Sequence, residues 1–243
     1  MTSGDSGGAR DELEASLRGL SARLADRPGD DAAHEARARA LLAAGRLEDA
    51  ERDAMDAVRL DPDEVRYREL LAEIQSQRGD HADAAAEYAR LARNDPRQVA
   101  WTVAEAAERI ESAETEKGVE AARRAVRLEP ANFDAQLALA RGLIRLGDGA
   151  GALQASRRAA DLRPGDAAGR EAHADALWLA EQAAAAFDEF KALATEISGM
   201  ERERVLEKAR SVYRRQAGWL GKWVASVRWL FRLGLERGWL NVA

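Results

Sequence analysis

The sequence contains no cysteine, and it has only three histidines and five prolines among its 243 residues. Without cysteine the chain has no disulfide, no thiol nucleophile and no thiolate metal site. Aromatic residues make up 5% of the chain, and it contains no run of eighteen apolar residues of the kind that crosses a bilayer. No basic segment followed by a long apolar one opens the sequence, so we expect no secretion signal and a cytoplasmic location.

The five prolines recur at a fixed interval. They lie at positions 28, 62, 96, 130 and 164, each 34 residues after the one before. A fixed period of this length indicates a stack of similar units, because a single unit cannot bury its apolar face without its neighbours. We predict repeat units at residues 31–62, 65–96, 99–130, 133–164 and 167–198.

Small residues form two columns when the units are aligned. The first column is Ala38, Ala72, Ala106, Ala140 and Ala174, and the second is Ala50, Ala84, Gly118, Ala152 and Ala186. Small side chains at these positions predict two helices that cross closely. Between the columns lies a break at Gly45, Gly79, Ala113 and Gly147, and glycine is the usual residue where a helix stops in a left-handed turn. Each unit therefore predicts a helix, a turn and a second helix that ends before the proline.

This pattern resembles the tetratricopeptide repeat over residues 31–198. The first unit shows the family's signature residues most clearly, at Ala38, Leu41, Gly45, Ala50, Ala57, Leu60 and Pro62. The resemblance implies an all-α fold, a right-handed α-solenoid of about five helix pairs with extra helices at both ends.

The chain departs from the family pattern at two places. The family's early tryptophan is replaced by His34, Arg68, Thr102, Gln136 and Arg170. In the third unit, Glu105 and Arg109 stand where large apolar residues are expected. We therefore expect the third unit to be looser than the others or to face a partner.

The segments outside the repeats predict further elements. Residues 1–9 are small and polar, which predicts a disordered tail. In residues 10–28, Leu13, Leu17, Leu20 and Leu24 fall on one helical stripe, which predicts a capping helix before the array of residues 29–198. Residues 199–218 predict a closing helix, with Val205, Leu206, Ala209, Val212 and Tyr213 on one side.

In proteins similar to this one, the first helices of successive units line a groove that binds a peptide or a helix. The groove residues that this implies are Arg39, Arg66, Glu69, Glu73, Ile110, Leu137, Arg141, Ile144, Arg145, Glu171, Asp175 and Trp178. The family members that bind the carboxylate of chaperone tails use lysine and asparagine here, and this groove has neither. An apolar floor of Ile110, Leu137, Ile144 and Trp178 between charges of both signs favours an amphipathic helix as ligand. The alternative for Trp178 is packing against the next helix.

The last segment, residues 219–243, differs in composition from the rest. It holds four of the six tryptophans, and on a helix its apolar residues fill one arc of about 160°. The arc is formed by Trp219, Leu220, Trp223, Val224, Val227, Leu230, Phe231 and Leu235, and Lys222, Arg228 and Arg232 lie on the other side. Three interpretations remain open: a cap or plug on the array itself, a helix lying in a membrane interface, or a docking segment for a partner protein or a second copy.

Charge separates the two parts of the chain. The whole sequence carries −6 and the segment from residue 208 onward +7, so the residues before it sum to about −13. Such an acidic body would repel phosphate, so we expect no nucleic-acid partner, whereas the basic segment favours an anionic membrane surface.

The residues that commonly carry out chemistry are scattered. His34, His81 and His173 occupy different positions in different units, so no two share a helical face at ligand spacing. The glycine-rich stretch 147–151 follows a helix and lacks lysine, which favours a turn over a phosphate loop. We predict no enzyme activity, no metal and no cofactor.

The sequence thus predicts a protein-binding scaffold or assembly factor. Its groove would take a partner helix or peptide, and its C-terminal helix would hold it to the inner face of the cytoplasmic membrane. The excess of arginine over lysine is typical of a GC-rich bacterial genome. The alternative is an accessory or regulatory subunit held in a larger membrane complex through that helix.

Overall fold

The computed structural model describes residues 5–216, and over this range it contains twelve α-helices and no strand. In chain order the helices are α1 Asp5–Asp26, α2 Asp31–Ala43, α3 Leu47–Leu60, α4 Val65–Arg78, α5 His81–Asn94, α6 Val99–Glu111, α7 Thr115–Leu128, α8 Phe133–Leu146, α9 Gly149–Leu162, α10 Ala167–Leu179, α11 Ala183–Glu196 and α12 Gly199–Gln216. The predicted fold class, an all-α helical repeat, is confirmed.

The chain divides into two compact units, Met1–Glu129 and Pro130–Ala243, here called the N-terminal and the C-terminal unit. In each unit every helix packs on the next one along the chain. The first helices of successive pairs also pack together, α2 on α4 in the N-terminal unit and α8 on α10 in the C-terminal unit. No helix between residues 5 and 216 combines the length and the apolar character needed to cross a membrane.

Both columns of small residues are buried. Each alanine in the two columns is 0% exposed. Gly118 stands in the second column because a Cβ there would lie 2.6 Å from Ile110 Cγ1 and 3.0 Å from the Ala106 carbonyl oxygen. The prediction that small residues mark close helix crossings is therefore confirmed.

The break between paired helices uses the left-handed backbone conformation in every pair. Gly79 and Gly147 have φ values of 85° and 77°, and Ala113 and Glu181 reach 64° and 61° at the equivalent positions. Left-handed backbone is costly for residues with a Cβ, so the close packing of the pairs must hold these two turns in place.

The helix α1 covers one end of the N-terminal unit. Leu17 packs with Ala38 and Leu41 of α2 and with Leu70 of α4 in one apolar cluster. The helix begins at Asp5 rather than at residue 10, so the expected disorder of residues 1–9 does not hold for residues 5–9. A carboxylate at the first residue is favourable there, because it lies beside the unpaired amide groups of the helix N-terminus.

Polar residues stand at the position of the family's early tryptophan, and most of them form hydrogen bonds to neighbouring elements. Three of them lie close to the carbonyl of the proline six residues earlier: His34 Nε2 at 3.1 Å, Arg68 Nη2 at 3.3 Å and Gln136 Nε2 at 2.9 Å. Three contact a carboxylate nineteen residues later, on the second helix of the pair: His34 with Asp53, Arg68 with Glu87 and Arg170 with Glu189. In the first two repeats, at His34 and Arg68, this position thus joins both helices of the pair to the preceding turn without an aromatic ring.

The third repeat corrects one expectation. Glu105 is only 4% exposed, so it does not face a partner. Its carboxylate accepts hydrogen bonds from Arg109 Nε at 2.9 Å and from Arg124 Nη2 on α7 at 2.6 Å. An ion-pair network therefore stands where the family packs apolar side chains, because the two arginines compensate the buried charge.

Candidate protein-binding surface

The first helices of the N-terminal unit carry a group of glutamates close to aromatic residues. Trp101 at the start of α6 donates a hydrogen bond from Nε1 to Glu69 Oε1 on α4 at 2.6 Å. Glu73 lies one turn further along α4 and is exposed. Among the described residues no cation pairs with Glu73. We call Glu69, Glu73 and Glu108, with Trp101 and Tyr88, the acidic surface.

The half-buried Tyr88 on α5 shows that these glutamates share one region. Burial is the main cause that raises the pKa of its hydroxyl, and the charges of Glu108, Glu73 and Glu69 raise this pKa further. Each charge disfavours a second negative charge nearby. The three carboxylates therefore produce one negative field around the Tyr88 ring.

Glu108 on α6 connects the surface to its neighbours. Ser76 Oγ donates to Glu108 Oε1 at 2.6 Å, and His81 Nδ1 lies 2.7 Å from Oε2. These contacts fix the position of the carboxylate between α4, α5 and α6. Sequence reasoning missed Trp101, Tyr88 and Glu108; the available signal was the spacing of 32 residues from Glu69 to Trp101 and from Ser76 to Glu108, which is close to one repeat.

The two arginines of the predicted groove in this unit are also exposed. Arg39 pairs with Glu35 on the same helix at 2.5 Å. The Arg66 guanidinium lies 5.1 Å from the ring centre of Tyr67, and Nη2 is 3.3 Å from the Tyr67 hydroxyl oxygen. The hydrogen bond with Tyr67 is the main cause that raises the Arg66 pKa. Both side chains are therefore held by residues of their own unit.

Two residues of the expected apolar floor are not available to a ligand. Ile110 is 2% exposed and fills the space beside Gly118, and Leu137 is 7% exposed within a cluster that includes Phe133, Ala159 and Ala172. Both pack between helices because a large aliphatic side chain beside a small-residue crossing is enclosed on all sides. The assignment of Ile110 and Leu137 to an open floor is therefore corrected.

Other predicted residues of the C-terminal unit remain nearer to solvent. Ile144 is half-buried against the cluster around Leu137. Arg141 and Arg145 are exposed on α8. The part of α8 toward its C-terminal end therefore presents two arginines to solvent.

The acidic residues predicted on α10 contact the closing helix α12. Lys208 Nζ lies 2.8 Å from Glu171 Oε1 and 2.6 Å from Asp175 Oδ2, and Arg204 Nη2 lies 2.7 Å from Glu171 Oε2. Burial is the main cause that raises the pKa of Asp175, and the hydrogen bond from Lys208 opposes it. Both carboxylates are therefore already paired with cations of the same chain.

Trp178 packs against the core shared by α10, α11 and α12. It is half-buried, and the Arg215 guanidinium lies 5.8 Å from its ring centre. The alternative that the sequence left open, packing against the next helix, is the one that these contacts favour.

The predicted tail site lies outside the described residues. This concerns the arc of Trp219, Leu220, Trp223, Val224, Val227, Leu230, Phe231 and Leu235 and the basic residues Lys222, Arg228 and Arg232.

One cluster resembles a set of metal ligands. The nearest ligand atoms of His34, Asp53 and Asp56 lie within 4.8 Å of one another. Arg37, however, donates hydrogen bonds to both oxygens of Asp53, at 2.6 and 2.7 Å. A guanidinium in that position repels a cation, so we interpret the cluster as a structural ion-pair network between α2 and α3.

Comparison with known proteins identifies the repeat. The family model described as tetratricopeptide repeat matches residues 36–99 and 103–167, which together are more than half of the chain. The chain belongs to the tetratricopeptide repeat family. Proteins of this family generally mediate protein–protein interactions as scaffolds. No curated protein matches the sequence.

Solved structures show the same fold at low sequence identity. A tetratricopeptide repeat protein from Parabacteroides merdae is 14% identical with a TM-score of 0.69, covering 85% of this chain and 86% of its own. MamA from Desulfovibrio magneticus is 16% identical with a TM-score of 0.61, covering 72% of this chain and 95% of its own. YrrB, described as a repeat protein with an unusual peptide-binding site, is 14% identical with a TM-score of 0.59, covering 78% of this chain and 97% of its own. At these identities the likeness concerns the fold alone.

Proposed function

We propose that this protein is a non-enzymatic scaffold that binds a helical or extended segment of a partner protein on the first helices of its N-terminal unit. The observation that carries the proposal is the acidic surface, where Glu69 on α4 accepts a hydrogen bond from Trp101 on α6 and Glu73, one turn along α4, is exposed. Aromatic residues beside charged groups are typical of the residues that dominate binding energy in protein interfaces. The peptide-binding site named for YrrB supports the same class of ligand.

The N-terminal unit is favoured over the C-terminal unit for a physical reason. In the C-terminal unit, Glu171, Asp175 and Trp178 already contact α12. A ligand there would have to replace these intramolecular ion pairs, whereas Glu73 on α4 is exposed. Binding at α4 therefore has a smaller desolvation and rearrangement cost.

Site-specific cross-linking in cells tests this proposal. A photoreactive amino acid at Gln77, which is exposed on α4, is expected to form a covalent adduct with a partner protein. The matched control is the same group at Glu120, which is exposed on α7, a second helix. Adducts of the same protein at both positions, or at 120 alone, would place binding away from the first helices and contradict the proposal.

We also propose that residues 219–243 attach the scaffold to an anionic membrane surface. The support is the sequence pattern, a tryptophan-rich apolar arc opposite Lys222, Arg228 and Arg232. Each lysine or arginine near such a surface contributes about 1 kcal/mol. The alternative is a subunit of a larger membrane complex, in which the same segment is a protein interface.

Vesicle sedimentation separates these two possibilities. Full-length protein is expected to sediment with anionic vesicles and to be released at high salt, because salt screens the basic residues. Trp223→Ser with Phe231→Ser is expected to weaken binding even at low salt, and a chain ending at Gly218 should remain in the supernatant. If full-length protein ignores vesicles of every charge, the membrane attachment is wrong, and the segment is either a cap on the array or a protein interface.

A further inference from the structure

The acidic surface has a counterpart at the same repeat positions in the C-terminal unit. Glu69 and Glu73 on α4 lie three repeats of 34 residues before Glu171 and Asp175 on α10. Both pairs are carboxylates one helical turn apart on a first helix, so they point to the same side of their helix. The same pair of carboxylates therefore occurs twice in the chain, once in the N-terminal unit and once in the C-terminal unit.

The C-terminal copy shows which group such a pair binds. Lys208 contacts both carboxylates, at 2.8 Å from Glu171 Oε1 and 2.6 Å from Asp175 Oδ2. Arg204, one turn earlier on α12, binds the other oxygen of Glu171 at 2.7 Å. Two cations at a spacing of four residues on a helix thus match two carboxylates at the same spacing on the neighbouring helix.

The N-terminal copy lacks these cations. On α6, the next first helix, the group that contacts Glu69 is the neutral indole N–H of Trp101. The nearby acid Glu105 is buried and already paired with Arg109 and Arg124. Within the described part of the chain, Glu73 has no partner cation, and its charge contributes to the field around Tyr88.

We infer that the acidic surface binds a basic amphipathic helix of a partner protein, which places lysine or arginine at a spacing of four residues against Glu69 and Glu73. In the N-terminal unit α6 packs on α5 as α12 packs on α11 in the C-terminal unit, so the ligand lies on the solvent side of Glu73, which is exposed. Its cations pair with the two carboxylates from that side, and the Trp101 ring contacts the apolar part of the ligand. This inference rests on the proposed function and adds the chemistry of the partner.

A pair of peptides tests the charge requirement on the full-length protein. The first has the sequence of residues 199–216, which contains Arg204 and Lys208 at the required spacing. The second is identical except for Arg204→Glu and Lys208→Glu. We expect the first peptide to bind in fluorescence anisotropy, with an affinity that falls as salt rises, and the second to bind on the order of tenfold more weakly.

Variants of the protein locate the site. Glu69→Gln with Glu73→Gln is expected to weaken binding of the first peptide on the order of tenfold and to reduce its salt dependence. The matched control, Glu116→Gln with Glu120→Gln, removes two exposed charges from α7 and should change neither. Unchanged binding in the Glu69 and Glu73 variant would overturn the inference, and this is also the result expected if the peptide merely displaces α12 from α10.

The inference and the proposed function fail in different ways. Equal binding of both peptides would contradict the charge requirement while leaving a helix-binding scaffold intact. If neither peptide binds, the basic-helix ligand is wrong. The scaffold proposal then depends on the cross-linking at position 77, which makes no assumption about the charge of the partner.

Discussion

Lys208 on α12 and Asp175 on α10 form an ion pair of 2.6 Å, and this contact ties the last described helix to the pair before it. Asp175 is largely enclosed, so its charge depends on the lysine for compensation. The closing helix therefore contributes more than apolar packing through Val205, Ala209 and Val212. Its cations neutralise two carboxylates that would otherwise face the end of the array.

Removing this lysine is expected to lower stability. Lys208→Gln leaves Asp175 without its closest cation, and we expect a loss of about 1 kcal/mol in the free energy of unfolding. Urea unfolding measures this change, and a double-mutant cycle with Asp175→Asn isolates the coupling between the two residues. A coupling energy near zero would mean that the pair does not hold α12 in place. Lys191→Gln on α11 serves as a control for a general charge effect.

Gly118 is expected to be intolerant of alanine. An added Cβ would lie 2.6 Å from Ile110 Cγ1 and 3.0 Å from the Ala106 carbonyl oxygen, so α6 and α7 would have to separate. We expect Gly118→Ala to cost about 1 to 3 kcal/mol. Gly19→Ala is the matched control, because nothing lies within 4 Å of its added Cβ and the helix should gain about 0.5 to 1 kcal/mol. Equal thermal stability of the two variants would show that the crossing is less tight than the structure indicates.

Glu105 is expected to be a stabilising residue of the third repeat. Glu105→Gln keeps the shape of the side chain but removes the charge that pairs with Arg109 and Arg124. We expect the free energy of unfolding to fall by about 1 to 3 kcal/mol, because the buried hydrogen bonds from the two arginines would then be made to a neutral amide instead of a carboxylate. Glu116→Gln, exposed on α7, should be neutral. If both variants unfold at the same urea concentration, the network contributes nothing to stability.

The repeat made most of the fold predictable from the sequence. Ala140 and Gly147 fall in columns of the aligned units. A column of small residues marks a helix crossing in every repeat, and a column of turn residues marks the end of the first helix in every repeat. Ile110 was wrongly assigned to the binding groove because residues at its repeat position face the ligand in the family. In this chain the neighbouring Gly118 leaves space where α6 and α7 cross, and the Ile110 side chain fills that space.

The acidic surface was harder to predict, because it depends on contacts between repeats. Glu69 and Glu73 were identified from their column, but their relation to Trp101 and Tyr88 depends on how α4, α5 and α6 pack. A column of aligned residues describes one position in each unit. It does not show which side chains of neighbouring helices contact the residue at that position. The same reason explains why Glu171 and Asp175 were predicted as open residues although α12 supplies their cations.

His173 is expected to make the C-terminal unit sensitive to mild acid. The ring is half-buried on α10, and Nδ1 lies 3.2 Å from Ser156 Oγ on α9. Burial is the main cause that lowers its pKa, with Arg157 acting in the same direction, while Glu189 and Asp161 oppose the shift. The folded state therefore favours the neutral ring, and the unfolded chain binds a proton more readily.

The sign of the pH effect follows from this difference. An unperturbed histidine has a pKa of about 6.5, so the stabilising effect of the neutral ring is present above that pH and is lost as the pH falls below it toward the lower folded pKa. His173→Gln removes the titrating group but keeps a hydrogen-bonding side chain. Urea unfolding at pH 8 and pH 5 should show a larger loss of stability for the wild type than for this variant. Equal losses in the two proteins would mean that acid acts on the fold through other groups, and an NMR titration of His173 with a pKa above 6.5 would contradict the burial argument directly.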